Sequence, residues 1–201
     1  MGIFGTRRQR HGFTIAELLV VIAVIGILAA IVLVVYPGYQ QRTRDNERKS
    51  DVQQIAAGIG AYLLQKNNYV ESGSGCGKNG NGNGWFNASG SAGSDTYPAS
   101  IASCLQNAKV LSGGAFVDPS GCTWVNGGSC GSPSGSQPYA YMKITCQKDG
   151  NKITYIMAHL ETAAANNSAM DALCDSGTAT NFTSDQRWGT TYGMNYYTVA
   201  K

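Results

Sequence analysis

Eighteen consecutive residues, Leu18 to Val35, carry no polar side chain. As a helix, at about 1.5 Å per residue, this run is about 27 Å long, close to the hydrocarbon thickness of a bilayer at about 30 Å. No small soluble domain needs a helix that is apolar all round, so the run reads as a membrane span. Glu17 stands directly before it. A carboxylate inside a membrane helix costs about 2.5–3.5 kcal/mol on insertion scales, so it points to a function. The competing reading places Glu17 at the membrane edge, reaching water. Arg7, Arg8 and Arg10 precede the span. By the positive-inside rule they put residues 1–12 in the cytoplasm.

One span in 201 residues leaves room for one globular domain of about 130 residues. The chain has 15 basic and 12 acidic residues; without the three arginines of residues 1–12, twelve face twelve. A neutral surface argues against nucleic-acid binding as the main role. Arg42, Arg44, Arg48 and Lys49 alternate with Asp45, Glu47 and Asp51. Their spacing predicts a solvated, pair-forming helix face. All six cysteines, Cys76, Cys104, Cys122, Cys130, Cys146 and Cys174, follow the span. An even count on the far side of a membrane reads as disulfides formed in an oxidising compartment. The pairing with the most local loops is Cys76–Cys104, Cys122–Cys130 and Cys146–Cys174. Zinc is the alternative, but there is no Cys-x-x-Cys and only His159 beyond His11.

Beyond the span, Pro37-Gly38 is expected to kink or loosen the helix. From Gln40 the pattern turns amphipathic, with Val52, Ile55, Ile59 and Tyr62 or Leu63 on one stripe that docks on the domain. Asn67-Asn68 fits its end. Residues 70–98 read as a low-complexity loop. Gly75-Cys76-Gly77-Lys78-Asn79-Gly80 matches G-x-G-x-x-G, but no strand precedes it and no helix follows, so it is not a phosphate loop. Trp85 and Phe86 either anchor this loop or are exposed for contact. Residues 99–111 predict a short amphipathic helix. Three strands are expected, at 138–147, 152–160 and 192–200, with Asp149-Gly150 as a hairpin turn between the first two.

Gly12-Phe13-Thr14-Ile15-Ala16-Glu17-Leu18, followed by the apolar run, resembles the processing site of type IV prepilins. The resemblance implies cleavage between Gly12 and Phe13 by a prepilin peptidase, N-methylation of Phe13, and retention of the apolar helix. It also implies that Glu17 pairs with the Phe13 ammonium of a neighbouring subunit during assembly. It is strong over residues 1–66; the rest is similar in plan only, and Val34 stands where many relatives carry a proline. The implied fold is α+β, of the type IV pilin kind: a long N-terminal helix on an antiparallel sheet of about three strands, stapled by disulfides. Its parts are a leader at 1–12, a transmembrane and assembly helix at 13–37, and an amphipathic helix at 38–68. A Gly/Ser-rich loop region follows at 69–137, then the sheet and C-terminal loop at 138–201.

Catalysis finds little support. His159 sits in a strand pattern, and the serines lie in loops with no base beside them. Asp118, Asp171, Asp175 and Asp185 have the chemistry for calcium, but their spacing matches no defined loop. Asn87, Asn166 and Asn181 open glycosylation sequons that also read as ordinary polar loops. No cofactor, metal or enzymatic activity is expected. The implied role is a filament subunit, a homo-oligomer assembled from the cytoplasmic membrane by pilus machinery, serving adhesion, twitching motility or DNA uptake. The alternatives are a secretion pseudopilin and a membrane-tethered binding domain. A host surface or DNA as the domain's target is left open. Changing Gly12 to a bulky residue is expected to leave an uncut precursor. Mass spectrometry checks this, and recovery of the shorter chain overturns the cleavage site.

Overall fold

A computed structural model describes residues 13–71, 73–92, 95–111, 116–120, 141–179 and 188–201. The chain forms two compact units, residues 1–40 and 41–201. Helix α1, Ile15–Lys66, contributes to both. It runs on through Pro37 as one helix. Proline has no N–H, so the Leu33 carbonyl lacks its usual helical donor there.

In the second unit α1 ends at Asn67, whose φ of 51° is left-handed and whose N–H donates to the Leu63 carbonyl at 2.7 Å. Val52, Ile55 and Ile59 are fully buried, as their spacing predicts, while Leu64 is exposed. Helix α2, Ile101–Asn107, is shorter than the predicted 99–111. Ser100 caps it by accepting from the Ser103 N–H at 3.0 Å. Ile101 and Leu105 join the α1 stripe, Val70, Phe86, Tyr141, Ile156 and Ala158 in one core.

Among the described residues the main sheet has four antiparallel strands, the three expected ones and a short fourth. They are β1 (Gly84–Trp85), β4 (Met142–Lys148), β5 (Asn151–Ala158) and β6 (Tyr196–Ala200), in the order β1-β4-β5-β6. A separate hairpin pairs β2 (Gly90–Ala92) with β3 (Asp95–Tyr97). Asp149 and Gly150 both have positive φ, 50° and 77°, which is the tight turn that suits the right-handed twist of a hairpin. It sets the β4–β5 register, with Ile144 opposite Tyr155 and Thr145 opposite Thr154. Met142, Ile144, Tyr155 and Met157 pack on a second core with Trp85, Met170, Leu173, Trp188 and Met194. A five-residue helix, α3 (Asn167–Asp171), supplies Met170. With both faces covered, strand residues that alternation would leave wet are buried: Lys143, Thr145 and Thr154.

Much of 70–98 is built structure rather than a featureless loop. Trp85 and Phe86 are buried, so they anchor it. Glycine is required at two points. A side chain at Gly82, φ 75°, would start 1.5 Å from the Val70 carbonyl, and one at Gly77, φ 70°, 2.8 Å from the Asn83 carbonyl. The G-x-G-x-x-G string ends in a single 3₁₀ turn at Lys78–Gly80, with no phosphate-binding helix behind it.

The mixed-charge stretch of α1 is not the solvated face its spacing predicts. Arg48 is fully buried and Asp45 nearly so. Arg48 donates from Nε and Nη2 to both oxygens of Asp118, at 2.7 and 2.9 Å, and from Nη1 to Asp45 at 3.1 Å and Glu161 at 2.8 Å. Arg44 grips Glu161 with two further bonds. Asp45 in turn accepts from the Glu161 and Thr162 N–H groups and from the Thr162 hydroxyl. The cluster ties α1 to the exit of β5 and to the 116–120 segment. Burial pushes the Asp45 carboxyl up, but the bonds from Thr162, Glu161 and Arg48 outweigh it and the net shift is down. Arg44 holds Glu161 down as well, against some burial and with help from Arg48.

Two predictions follow from these contacts. Carboxyls depressed in the fold add stability that is present above about pH 4–5 and lost as pH falls through their folded values. Stability is therefore expected to fall on acidification from about pH 5 to 3. Arg48→Met is expected to cost about 3–5 kcal/mol at neutral pH and to flatten that acid limb, as read by denaturant unfolding. Separately, a side chain at Gly60 would meet the Lys201 carbonyl at 2.2 Å, whereas one at Gly58 comes nearest to the Leu111 side-chain tip, at 3.1 Å, with the Val110 carbonyl at 3.5 Å. Gly60→Ala is expected to lose about 1–3 kcal/mol in thermal unfolding, despite a helix-propensity gain of about 1 kcal/mol. Gly58→Ala is expected to lose less.

Candidate assembly site

The first unit is the apolar part of α1. Its residues from Leu18 to Val35 are all exposed, and so are Tyr36 and Tyr39. This is the described helix long and apolar enough to cross a membrane. Burying one such Val, Leu or Ile side chain is worth about 1.5–3 kcal/mol, so covering the run releases tens of kcal/mol. A bilayer or other copies of the same helix would supply that cover.

The polar residues stand at its start. Thr14 and Glu17 close a reciprocal capping box. Glu17 Oε2 accepts from the Thr14 N–H and the Thr14 hydroxyl, both at 2.8 Å. The Thr14 hydroxyl oxygen accepts from the Glu17 N–H at 3.2 Å. The T-x-x-E spacing at 14–17 is the signal for this cap; read only for its charge, Glu17 hides it. Glu17 is thus aimed at the first turn of its own helix, where free N–H groups carry partial positive charge. Phe13 is 88% exposed beside it. Gly12 lies outside the described residues.

Other sequence candidates have structural partners. Cys76–Cys104 and Cys146–Cys174 are disulfides, each closing a sequence separation of 28 residues. Such a loop is worth about 3–4 kcal/mol in the chain-entropy view. Cys122 and Cys130 lie outside the described residues. His159 hydrogen-bonds through Nδ1 to the Gly193 carbonyl. Asp118 holds Arg48, and Asp171 accepts from the Gly189 and Thr190 N–H groups and the Thr190 hydroxyl. Asp175 stands 3.9 Å from Lys148. Asp185 and Asn181 are outside the described residues. Among the described residues no three His, Cys, Asp or Glu side chains stand together as a metal set. The amide of Asn87 is half-buried and donates to the Phe116 carbonyl at 2.5 Å, while Asn166 is exposed.

The prokaryotic N-terminal methylation motif matches residues 7–33. The chain is 32% identical over 63 residues to the type IV major pilin protein PilA of Myxococcus xanthus, which covers 31% of this chain and 29% of that one. It is 38% identical over 58 residues to the type II secretion system core protein G of Pseudomonas aeruginosa, covering 29% and 41%. A fimbrial protein of Pseudomonas aeruginosa is 35% identical over 65 residues, covering 32% and 42%. The chain thus spans less than half the length of these relatives. No solved structure matches it significantly. With a methylation motif leading into an exposed apolar helix, and an α+β domain behind it, the chain is similar over its N-terminal third to type IV pilin, fimbrial and type II secretion core proteins.

Proposed function

We propose that this chain is a structural subunit of a type IV pilus filament. The observation that supports it most is a helix apolar on every face, exposed in a single chain, with one carboxylate at its start. In this reading a prepilin peptidase cuts between Gly12 and Phe13, and Phe13 is N-methylated. The subunit waits in the cytoplasmic membrane with its N-terminus on the cytoplasmic side. Assembly machinery then extracts it, and the apolar helices of many copies bury one another at the centre of an extracellular filament.

Glu17 sets the register. In a dry helical bundle an unpaired carboxylate is expensive. The docked position that brings the Phe13 ammonium of a neighbour to Glu17 is therefore favoured over slipped ones. The capping box gives Glu17 a polar partner before that exchange. The domain tiles the outside, its surface serving adhesion, motility or DNA uptake.

A second reading is a pseudopilin of a protein-export piston. The 38% identity to a type II secretion core protein favours it. Both readings share the assembly step. Imaging sheared cells for long fibres that contain this chain separates them: abundant surface fibres support the pilus, and their absence under conditions of expression favours the piston.

Glu17→Val is expected to leave a processed, membrane-bound chain whose filament yield drops about tenfold or more, the scale of one lost charged hydrogen bond per added subunit. Membrane fractionation, mass and quantitative imaging check it. Normal filament yield overturns the register argument.

A further inference from the structure

Lys143 lies in the middle of the sheet with no exposed surface. A lysine is almost never found so placed unless its head is fully engaged. Its Nζ lies 3.0 Å from the Val70 carbonyl, 2.9 Å from the Gly82 carbonyl and 2.9 Å from the Thr145 hydroxyl. Both carbonyls belong to the stretch from Val70 to Gly84, whose described residues, 70–71 and 73–84, cover the α1 side of β4. The carbonyls are delivered by unusual backbone. Val70 has φ 57°, a region that β-branched residues avoid, and Gly82 is at φ 75° where only glycine fits. Asn83 adds a tie beside them, accepting from the Thr145 N–H at 2.7 Å and donating to the Thr145 carbonyl at 3.3 Å. Cys76, bonded to Cys104, fixes the segment midway.

The site can hold the lysine head in either protonation state. As an ammonium it donates to all three oxygens. As an amine it donates to the two carbonyls and accepts from the Thr145 hydroxyl. Thr145 and Thr154 share a hydrogen bond at 2.8 Å that runs in either direction, so the hydroxyl pair follows the proton. Burial still penalises the charged form. It draws the Lys143 pKa down to about 7; Glu71 on the segment opposes this and Lys152 on β5 adds to it. Those two side chains form an ion pair of their own at 2.7 Å.

We propose that Lys143 is an internal tie holding the 70–84 segment shut over the sheet, and that the segment loosens as pH falls toward neutral, when the buried head must carry charge. With the segment open, the lysine returns to water and its ordinary affinity for a proton, near pKa 10.4. The shut state therefore binds fewer protons than the open one between pH 7 and 10, and raising pH favours the shut state.

The test is amide hydrogen exchange on the full chain in detergent micelles at pH 6 and pH 8.5, corrected for intrinsic rates. The reporters are Lys78, whose N–H donates to the Asn83 carbonyl at 2.7 Å, Gly82, which donates to the Cys76 carbonyl at 2.7 Å, and Thr145. At pH 6 their protection is expected to be about tenfold or more below that at pH 8.5, while β5–β6 amides keep theirs. In Lys143→Met the segment is expected to lose this pH dependence. Equal or greater protection at pH 6 in the native chain overturns the proposal, and so does a loss shared equally by the β5–β6 ladder. A pH response that persists in Lys143→Met overturns it as well. The native-chain comparison decides the matter even where that variant does not fold.

Discussion

A helix that is apolar on every face has no stable place in water on its own. From Leu18 to Val35 the chain offers only such surface. In the proposed assembly, the same area that would hold one subunit in a bilayer would hold many subunits together once they leave it, because both surroundings hide the same side chains from water. Area is not selective, however. Valine, isoleucine and leucine pack almost as well after a slip of one turn. Selectivity has to come from a group that tolerates few positions, and in the proposed assembly Glu17 would be that group. Its own helix meets its needs through Thr14, which lets the carboxylate sit next to apolar surface without standing unpartnered.

The second unit solves a different problem. Its part of α1 must be fixed to a small sheet, and an apolar stripe of Val52, Ile55 and Ile59 gives adhesion without fixing rotation or slide. Arg48 supplies what the stripe lacks. A planar guanidinium bound by three carboxylates from three places in the chain fits in one orientation only. Buried ion clusters add little net stability compared with apolar packing, because desolvation offsets most of the attraction. Their contribution is to penalise alternatives: a shifted helix would strand charge in the interior. In the proposed assembly, Glu17 would give the first unit the same device, a charged group set beside apolar area so that the area is used in a single register.

Much of this frame is legible in the sequence because the signals are local. The apolar run, the three-to-four spacing of Val52, Ile55 and Ile59, and Asp149-Gly150 each declare themselves within a few residues. The disulfide partners Cys76–Cys104 and Cys146–Cys174 are also those of the local-loop pairing. What escapes is long-range. Arg48 looks like one charge among seven in a mixed stretch, since Asp118 and Glu161 are 70 and 113 residues away. Lys143 and Thr145 look like the wet side of a strand, because alternation cannot tell that both faces of the sheet are covered. Gly84–Trp85 is too short to register as a strand, yet it adds one. Thr14 is the opposite case: its capping signal is local, and attention to the carboxylate alone obscures it.

The glycine-rich segment shows how composition misleads. Glycine and asparagine in number read as a chain with nothing to bury, and that inference fails when the glycines are there for their backbone angles. Between Gly73 and Gly84 six glycines have positive φ. At Gly82 a single added carbon would collide with the carbonyl that Lys143 holds. Flexibility in the unfolded chain and tightness in the folded one come from the same missing side chain. The folding entropy is correspondingly large, and it is offset at a few fixed points: a disulfide at Cys76, a buried lysine head at Val70 and Gly82, and the side chains of Trp85 and Phe86. In the proposed opening these points would release the segment together, while β4, β5 and β6 keep a hydrogen-bonded ladder of their own.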